Sequence, residues 1–216
     1  MKLHTYWRSS CSYRVRIALA LKGLDFESIP VHLVKDGGEQ HSAEYVRLNP
    51  MRVVPTLEHG ETVITQSLAI IEYLEALHPE PALNPSRPVD EARVRALSYA
   101  VAIDIQPLNN LRVLQYLKNR LGSDQEAVDA WYRSWVEKGF AAVERMLISS
   151  PETGRFCHGD SPSLADICLV PQIYNAERFK VDMSEYPTLV RINEACQMLD
   201  AFQHAAPENQ PDAPAP

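Results

Sequence analysis

The sequence predicts an α/β domain followed by an all-helical domain. Strand and helix patterns alternate over the first 78 residues, whereas the pattern after residue 88 is helical throughout. Residues 79–88 hold four prolines, which neither a helix nor a central strand accommodates. The expected organisation is therefore a first domain at 1–78, a linker at 79–88, a helical domain at 89–206 and a loose tail at 207–216.

The first domain is expected to follow the order β-α-β-α-β-β-α. The predicted strands are residues 2–7, 27–33, 53–59 and 62–64. The predicted helices are residues 10–22, 43–48 and 67–77, the last of them capped by Ser67. This order produces a mixed sheet with helices on both faces, which is the arrangement of a thioredoxin-like domain.

The second domain is predicted from long stretches of helical pattern at residues 89–120, 124–148, 163–178 and 186–203. Pro107 interrupts the first stretch among several amides, so we expect a kink there. Ser163 and Asp166 have the spacing of a capping box at the start of the third stretch. We assign this pair to folding rather than to chemistry.

The charge, hydrophobicity and cysteine spacing of the sequence argue against several classes of function. The net charge is −7, with 13 basic and 19 acidic side chains in residues 79–216, and no basic face of the kind that nucleic acid requires. No apolar run approaches the roughly 20 residues that cross a membrane, and no secretory signal is visible. The four cysteines are too widely spaced for a zinc pattern, so we expect reduced thiols, a cytoplasmic protein and no metal site.

Three small polar side chains, Ser9, Ser10 and Cys11, lie where the first strand ends and the first helix begins. A helix amino terminus stabilises a thiolate, which could be that of Cys11 or of a bound thiol cofactor. Arg14 stands where a resolving cysteine would be needed, so exchange between two cysteines is not expected. Arg8, beside the serines, is the first candidate for holding an anionic substrate.

Three further features of the sequence have both a structural and a ligand-binding interpretation. A cis peptide at Val54-Pro55 would turn the Val54 backbone outward to pair with an extended peptide, whereas a trans proline would only begin a strand. Ser67 either caps a helix alone or also binds a carboxylate at the positive helix end. Arg178 is either a substrate ligand or a solvated surface charge.

Taken together, these motifs resemble the zeta class of glutathione transferases over essentially the whole chain, to about residue 212. The first half of the resemblance consists of Ser9-Ser10-Cys11 before Arg14-Val15-Arg16-Ile17-Ala18-Leu19, then Val54-Pro55-Thr56-Leu57 and Gln66-Ser67. The second half consists of Gln106-Pro107-Leu108 with Asn110, Ala165-Asp166 with Leu169-Val170-Pro171-Gln172, and residues 175–182. The resemblance implies the glutathione transferase fold, glutathione as cofactor and a homodimer.

The resemblance also implies residue roles. Ser9 would stabilise the glutathione thiolate, with Ser10 and Cys11 beside it as further candidate catalytic residues. The residues implied to bind the cofactor are Ser9, Ser10, Gln40, Val54, Gln66, Ser67, Gln106, Asn110 and Arg112. Arg8 and Arg178 are our candidates for the carboxylates of a dianionic substrate.

The activity implied by the resemblance is a glutathione-dependent cis–trans isomerisation of maleylacetoacetate to fumarylacetoacetate in tyrosine and phenylalanine catabolism. The thiolate would add reversibly to the alkene, without net redox change. Gln106 stands where some related isomerases carry a histidine, which leaves isomerisation of maleylpyruvate open. A transferase or dehalogenase acting on small α-halo acids would share the same cofactor site. A non-catalytic scaffold is disfavoured because the thiolate-stabilising and γ-glutamyl motifs are present.

Overall fold

A computed structural model describes residues 1–214 of the chain. The chain divides into two compact units, Met1–Leu83 together with the segment from Gln197 onward, and Asn84–Cys196. The predicted succession of an α/β part and a helical part is confirmed. No helix among the described residues has the length and apolar character needed to span a bilayer.

The first unit contains a four-stranded sheet with the strand order β2-β1-β3-β4. Its strands are β1 (Lys2–Thr5), β2 (Glu27–Pro30), β3 (Thr56–His59) and β4 (Thr62–Thr65). β1 pairs in parallel with β2, whereas β1 with β3 and β3 with β4 are antiparallel. β1, β2 and β3 are shorter than predicted. β3 begins only after Pro55, which lacks the N–H group that would extend the ladder.

The helices, in chain order, are α1 (Ser10–Leu21), α2 (Ala43–Leu48), α3 (Ser67–Leu77), α4 (Pro88–Tyr99), α5 (Leu111–Leu121), α6 (Gln125–Ile148), α7 (Leu164–Arg178), α8 (Pro187–Gln197) and α9 (Asp200–Ala205). In the first unit, α1 and α3 pack against each other. Arg16 of α1 donates to Thr5 Oγ1 at 3.1 Å, which places α1 on the sheet face that Thr5 shares with the fully buried Leu3. Tyr45 of α2 covers the opposite face, where its ring lies 5.8 Å from that of His4.

The C-terminal segment belongs to the first unit, which differs from the boundaries expected at 89–206 and 207–216. Arg16 Nε donates to the Ala205 carbonyl at 3.1 Å, and the Trp7 backbone N–H donates to the Asp212 carboxylate at 2.9 Å. These bonds attach the chain after α8 to α1 and to the end of β1. The described part of the expected loose tail is therefore held in place, and its last two residues lie outside the described residues.

The second unit is helical, but the stretch predicted as one helix over 89–120 is interrupted. A π turn at Ala100–Ile105 and a 3-10 turn at Gln106–Asn109 separate α4 from α5. Pro107 lies in the second turn and cannot donate to the helical ladder, which confirms the predicted kink. The predicted helix at 186–203 is likewise divided into α8 and α9, at the point where the chain returns to the first unit.

The capping box predicted at the start of α7 is confirmed. The Asp166 carboxylate accepts hydrogen bonds from the backbone N–H and the hydroxyl of Ser163, each at 2.8 Å. Its other oxygen accepts from the Cys157 N–H at 2.8 Å. Burial raises the pKa of Asp166, against the opposing effect of these donors. The acid therefore ties the preceding loop to α7 and has a folding role.

Candidate active site

The amino-terminal end of α1 brings the side chains of Ser9, Ser10 and Cys11 together. Ser9 is the N-cap, and its Oγ accepts a hydrogen bond from the Ser12 N–H at 3.3 Å. This bond uses an oxygen lone pair, so the hydroxyl proton of Ser9 remains available for donation. The N–H groups of Ser10 and Cys11 lie in the first turn, where the helix supplies no acceptor. This helix end is therefore suited to hold a thiolate.

The four cysteines are free thiols that differ in accessibility. Cys11 is half-buried, whereas Cys157, Cys168 and Cys196 are buried. Burial raises the pKa of the Cys157 thiol well above its ordinary value, and it also raises the pKa of Cys196. Those two thiols stay protonated near neutral pH, so Cys11 is the described cysteine that is best placed to meet a ligand.

A hydrogen-bond network holds the loop that leads into β3. Asn49 Nδ2 donates to the Val53 carbonyl at 2.7 Å and to Thr56 Oγ1 at 3.1 Å. The Tyr45 hydroxyl bonds to the same two groups, at 2.7 Å and 3.0 Å. Burial raises the pKa of Tyr45, so its hydroxyl stays protonated and can donate. Two side chains therefore secure the backbone on both sides of Val54.

The peptide bond between Val54 and Pro55 is cis, which confirms the cis alternative. A second cis bond precedes Pro81, where no sequence pattern marked it. The Val54 side chain is buried in a cluster with Tyr6 and Tyr45. Among the described residues, no hydrogen-bond partner is found for the Val54 backbone N–H or carbonyl. Both groups remain available to an extended peptide ligand.

Gln66 and Ser67 lie at the beginning of α3. The prediction that Ser67 caps this helix is wrong, because Gln66 is the N-cap and Ser67 is the first helical residue. Gln66 has a φ of 71°, a left-handed conformation that costs free energy in a residue other than glycine. The Ser67 hydroxyl instead accepts a hydrogen bond from Arg14 Nη1 at 3.4 Å. A strained residue thus precedes a helix amino terminus, where backbone N–H groups favour an anion.

The predicted ligand Gln40 has a buried side chain in a 3-10 turn. Its Nε2 donates to the Leu33 carbonyl at 3.1 Å and contacts His41 Nε2 at 3.2 Å. Its Oε1 is buried and has no hydrogen-bond partner in the part of the chain that the structure describes. Gly38 adjoins this amide so closely that an added Cβ would lie 2.4 Å from Gln40 Nε2. Gly38 therefore provides the space in which the Gln40 amide is held.

Arg14 is a candidate site residue that no sequence motif assigns to the site. Its guanidinium is buried and joins the two helix ends, since Nη1 contacts Ser67 Oγ at 3.4 Å and Cys11 Sγ at 3.9 Å. No sequence pattern predicts this contact, because Arg14 and Ser67 are 53 residues apart. Arg8, by contrast, is half-buried in the turn before Ser9, and its guanidinium lies 5.3 Å from the Trp7 ring.

In the second unit, Gln106 begins the 3-10 turn before α5 and is half-buried. Asn110 is the N-cap of α5, and its Oδ1 accepts from the Arg112 N–H at 3.2 Å. The side-chain oxygen of Asn110 is therefore engaged as a cap. The Arg112 side chain is exposed.

Arg178 lies at the end of α7, and a chain of contacts connects it to the turn before α5. Its guanidinium lies 5.4 Å from the Phe179 ring, which stacks on Tyr132 at 3.6 Å. The Tyr132 carbonyl in turn accepts from Asn109 Nδ2 at 3.5 Å. Arg178 also donates to Asn175 Oδ1 at 3.1 Å, so its head group is oriented by its own helix. These contacts connect Arg178, the predicted substrate ligand, to the turn that begins with Gln106, a predicted cofactor ligand.

One other group of potential ligands occurs in the second unit. Ligand atoms of Asp90, Glu152 and His158 lie within 4.8 Å of one another. His158 Nδ1 contacts Arg93 Nη1 at 3.2 Å, and Asp90 pairs with Arg87 at 3.4 Å. Two of the three groups are therefore already in contact with arginine side chains.

Comparison with known proteins identifies the family. A family model described as the glutathione S-transferase N-terminal domain matches residues 8–77. The chain is 54% identical to a probable maleylacetoacetate isomerase of Vibrio cholerae, over 98% of this chain and 97% of the relative. It is 51% identical to the maleylacetoacetate isomerase of Rattus norvegicus, over 99% and 95% of the two chains.

Solved structures agree with this assignment. A holo structure of a bacterial maleylpyruvate isomerase, a zeta-class glutathione S-transferase, is 47% identical with a TM-score of 0.97, over 99% of this chain and 100% of the other. The maleylacetoacetate isomerase of Methylobacterium extorquens, with bound malonate and glutathione, is 39% identical with a TM-score of 0.96, over 100% of both chains. With the serine-capped α1 and the cis Val54-Pro55 bond, these likenesses show that the chain belongs to the zeta class of the glutathione S-transferase family.

Proposed function

We propose that this chain is a glutathione-dependent cis–trans isomerase that converts maleylacetoacetate to fumarylacetoacetate in tyrosine and phenylalanine catabolism. The observation that carries the proposal is the amino-terminal end of α1, where Ser9 caps the helix and keeps its hydroxyl proton free beside the half-buried Cys11. Relatives that share about half of their residues with this chain over nearly its whole length are maleylacetoacetate isomerases, which supports this substrate.

Glutathione fits the unused polar groups of the first unit. The Val54 backbone offers one donor and one acceptor, which match the backbone of an extended cysteinyl residue. The beginning of α3 with Ser67 suits the γ-glutamyl carboxylate, and the unpaired Oε1 of Gln40 suits a donor of the tripeptide. We assign the other polar groups of the cofactor to Ser10, Gln66, Gln106, Asn110 and Arg112.

The protein's task is to stabilise negative charge at two places. When bound, glutathione would supply a thiolate able to add reversibly to the substrate's double bond, which would allow that bond to rotate. Ser9 donates a hydrogen bond to the sulfur, and the positive end of α1 favours its ionised form, with Ser10 and Cys11 beside it. Arg8 and Arg178 hold the substrate carboxylates, because planar guanidinium groups match them, and they offset the charge that develops on the substrate oxygens.

Isomerisation of maleylpyruvate is the second candidate function. It is favoured by the TM-score of 0.97 with the zeta-class maleylpyruvate isomerase. Both reactions need the same thiolate and the same carboxylate ligands, so they differ in the group that the substrate carries beyond the double bond.

A spectrophotometric assay of maleylacetoacetate and maleylpyruvate, each with and without glutathione, tests the proposal. We expect rapid turnover that requires glutathione, favours maleylacetoacetate and leaves the glutathione concentration unchanged. A preference for maleylpyruvate would move the enzyme to the second candidate function. Failure to turn over either substrate, together with glutathione-consuming release of chloride from 2-chloropropanoate, would replace isomerisation with a transferase or dehalogenase activity.

We further propose that the enzyme is a cytoplasmic homodimer. The free thiols of the four cysteines fit a reducing compartment. Sedimentation velocity of the purified chain measures its mass in solution, with a monomer at micromolar concentration as the contradicting result. Fractionation of cells that express the chain, followed by detection with an antibody, tests the location.

A further inference from the structure

Among the described residues, the buried guanidinium of Arg14 has no counter-ion. The side chain is 1% exposed, and none of the described carboxylates forms an ion pair with it. Its Nη1 bonds to Ser67 Oγ and contacts Cys11 Sγ, whereas Nε and Nη2 have no hydrogen-bond partner within residues 1–214. Burying a charge with unsatisfied donors is costly unless an anion or another acceptor completes it.

The other buried cations of the first unit are fully engaged, which sets Arg14 apart. Arg16 lies two residues further along α1 and is also 1% exposed. Its donors are taken by the carbonyls of Ala205, Tyr6 and Trp7 and by the hydroxyl of Thr5. Lys22 pairs with Glu75 at 2.6 Å and donates to the carbonyls of His78 and Pro81. In the first unit, the buried cations that only support the fold are therefore paired with hydrogen-bond acceptors or a carboxylate.

We propose that Arg14 is a positioning residue of the glutathione site, a proposal that rests on the proposed function. Its Nη1 occupies a lone pair of Ser67 Oγ, so the hydroxyl proton of Ser67 is left to donate to the γ-glutamyl α-carboxylate of glutathione. Its uncompensated charge is the counter-charge of that carboxylate at the amino end of α3. Since the same guanidinium also contacts Cys11, it ties the carboxylate end of the site to the thiolate end.

The test compares two ligands that differ only in that carboxylate, glutathione and γ-aminobutyryl-cysteinylglycine. Calorimetric titration measures the Kd of each ligand for the wild-type chain and for Arg14→Met. We expect the wild-type chain to prefer glutathione by about 10- to 100-fold, as for a hydrogen-bonded charged group. Arg14→Met should abolish most of this preference, because the substitution mainly weakens the binding of the α-carboxylate that only glutathione carries.

Lys22→Met is the matched control, because it also removes a buried cation of the first unit. This variant should lower stability but keep the wild-type ratio of the two Kd values. If Arg14→Met does not fold, Arg14→Lys replaces it; the ratio should still fall, because an ammonium has no counterpart of the buried Nε and Nη2 donors of the guanidinium.

Equal losses of affinity for both ligands in the Arg14 variants, with an unchanged ratio, would overturn the proposal and leave Arg14 a structural residue. Equal losses in the variants can be distinguished from failure of the proposed function. If the proposed function is wrong, the wild-type chain itself should bind neither ligand, and both proposals would fall together.

Discussion

Replacing Tyr45 by Phe and Asn49 by Ala, singly and together, separates the two side chains that hold the loop before β3. Both side chains bond to the Val53 carbonyl and to Thr56 Oγ1. Thr56 is fully buried, so water does not replace a lost partner at that hydroxyl. Each single variant leaves one partner in place, whereas the double variant leaves none. The double variant should therefore lose more free energy of unfolding than the two single variants together.

The magnitudes follow from the number of hydrogen bonds lost. Tyr45→Phe should lower the free energy of unfolding by about 1 kcal/mol, because Asn49 still serves both groups. Asn49→Ala should cost about 2–3 kcal/mol, since it also removes the bond from the Met51 N–H at 3.0 Å. The double variant leaves two polar groups unsatisfied, so its loss should exceed the sum by about 1–2 kcal/mol.

Urea denaturation of the wild type and the three variants measures this coupling. Calorimetric titration of glutathione on the same variants should show the weakest binding for the double variant, because the loop presents the Val54 backbone. Tyr73→Phe is the control, since it removes a single hydroxyl contact, with His59 Nδ1 at 2.9 Å, and should show no coupling with Asn49→Ala. Losses that simply add for Tyr45 and Asn49 would refute the idea that the two side chains share one task.

Other substitutions test separate parts of the account. Asp166→Ala should lower the free energy of unfolding by about 3 kcal/mol, because the N–H groups of Cys157 and Ser163 lose a buried acceptor; a loss below about 1 kcal/mol in urea denaturation would contradict this. Gly38→Ala should weaken glutathione binding severalfold by displacing the Gln40 amide, and an unchanged calorimetric Kd would show that this amide is not a ligand. Arg8→Ala should raise the KM for maleylacetoacetate at least tenfold with little change in the Kd of glutathione, and an unchanged KM would remove Arg8 from substrate binding.

The parts of the site that could be predicted from the sequence are those that depend on neighbours in the chain. Ser9 follows a short apolar strand and precedes a helical pattern, so its position as a helix cap is a local property. The same holds for the capping box of Ser163 and Asp166 and for the break at Pro107. In each case the spacing of a few residues determines the hydrogen bonds.

The parts that could not be predicted depend on contacts between distant residues. Ser67 loses its expected capping role because Gln66 takes a left-handed conformation, which local preferences disfavour and the surrounding fold imposes. The return of α9 to the first unit depends on the bond from Arg16 to Ala205, which are 189 residues apart. The unmatched charge of Arg14 is visible only once its neighbours are known, since two arginines in one helix look alike in the sequence.

The most direct test of the central claim is the rate of maleylacetoacetate isomerisation at saturating glutathione as a function of pH, for the wild type and Ser9→Ala. We expect turnover that requires glutathione without consuming it, and an acidic limb with an apparent pKa below that of the free glutathione thiol. Ser9→Ala should slow turnover and move that limb to higher pH, because the thiolate loses its hydrogen bond. Turnover that does not need glutathione, or a limb that Ser9→Ala leaves in place, would contradict the account.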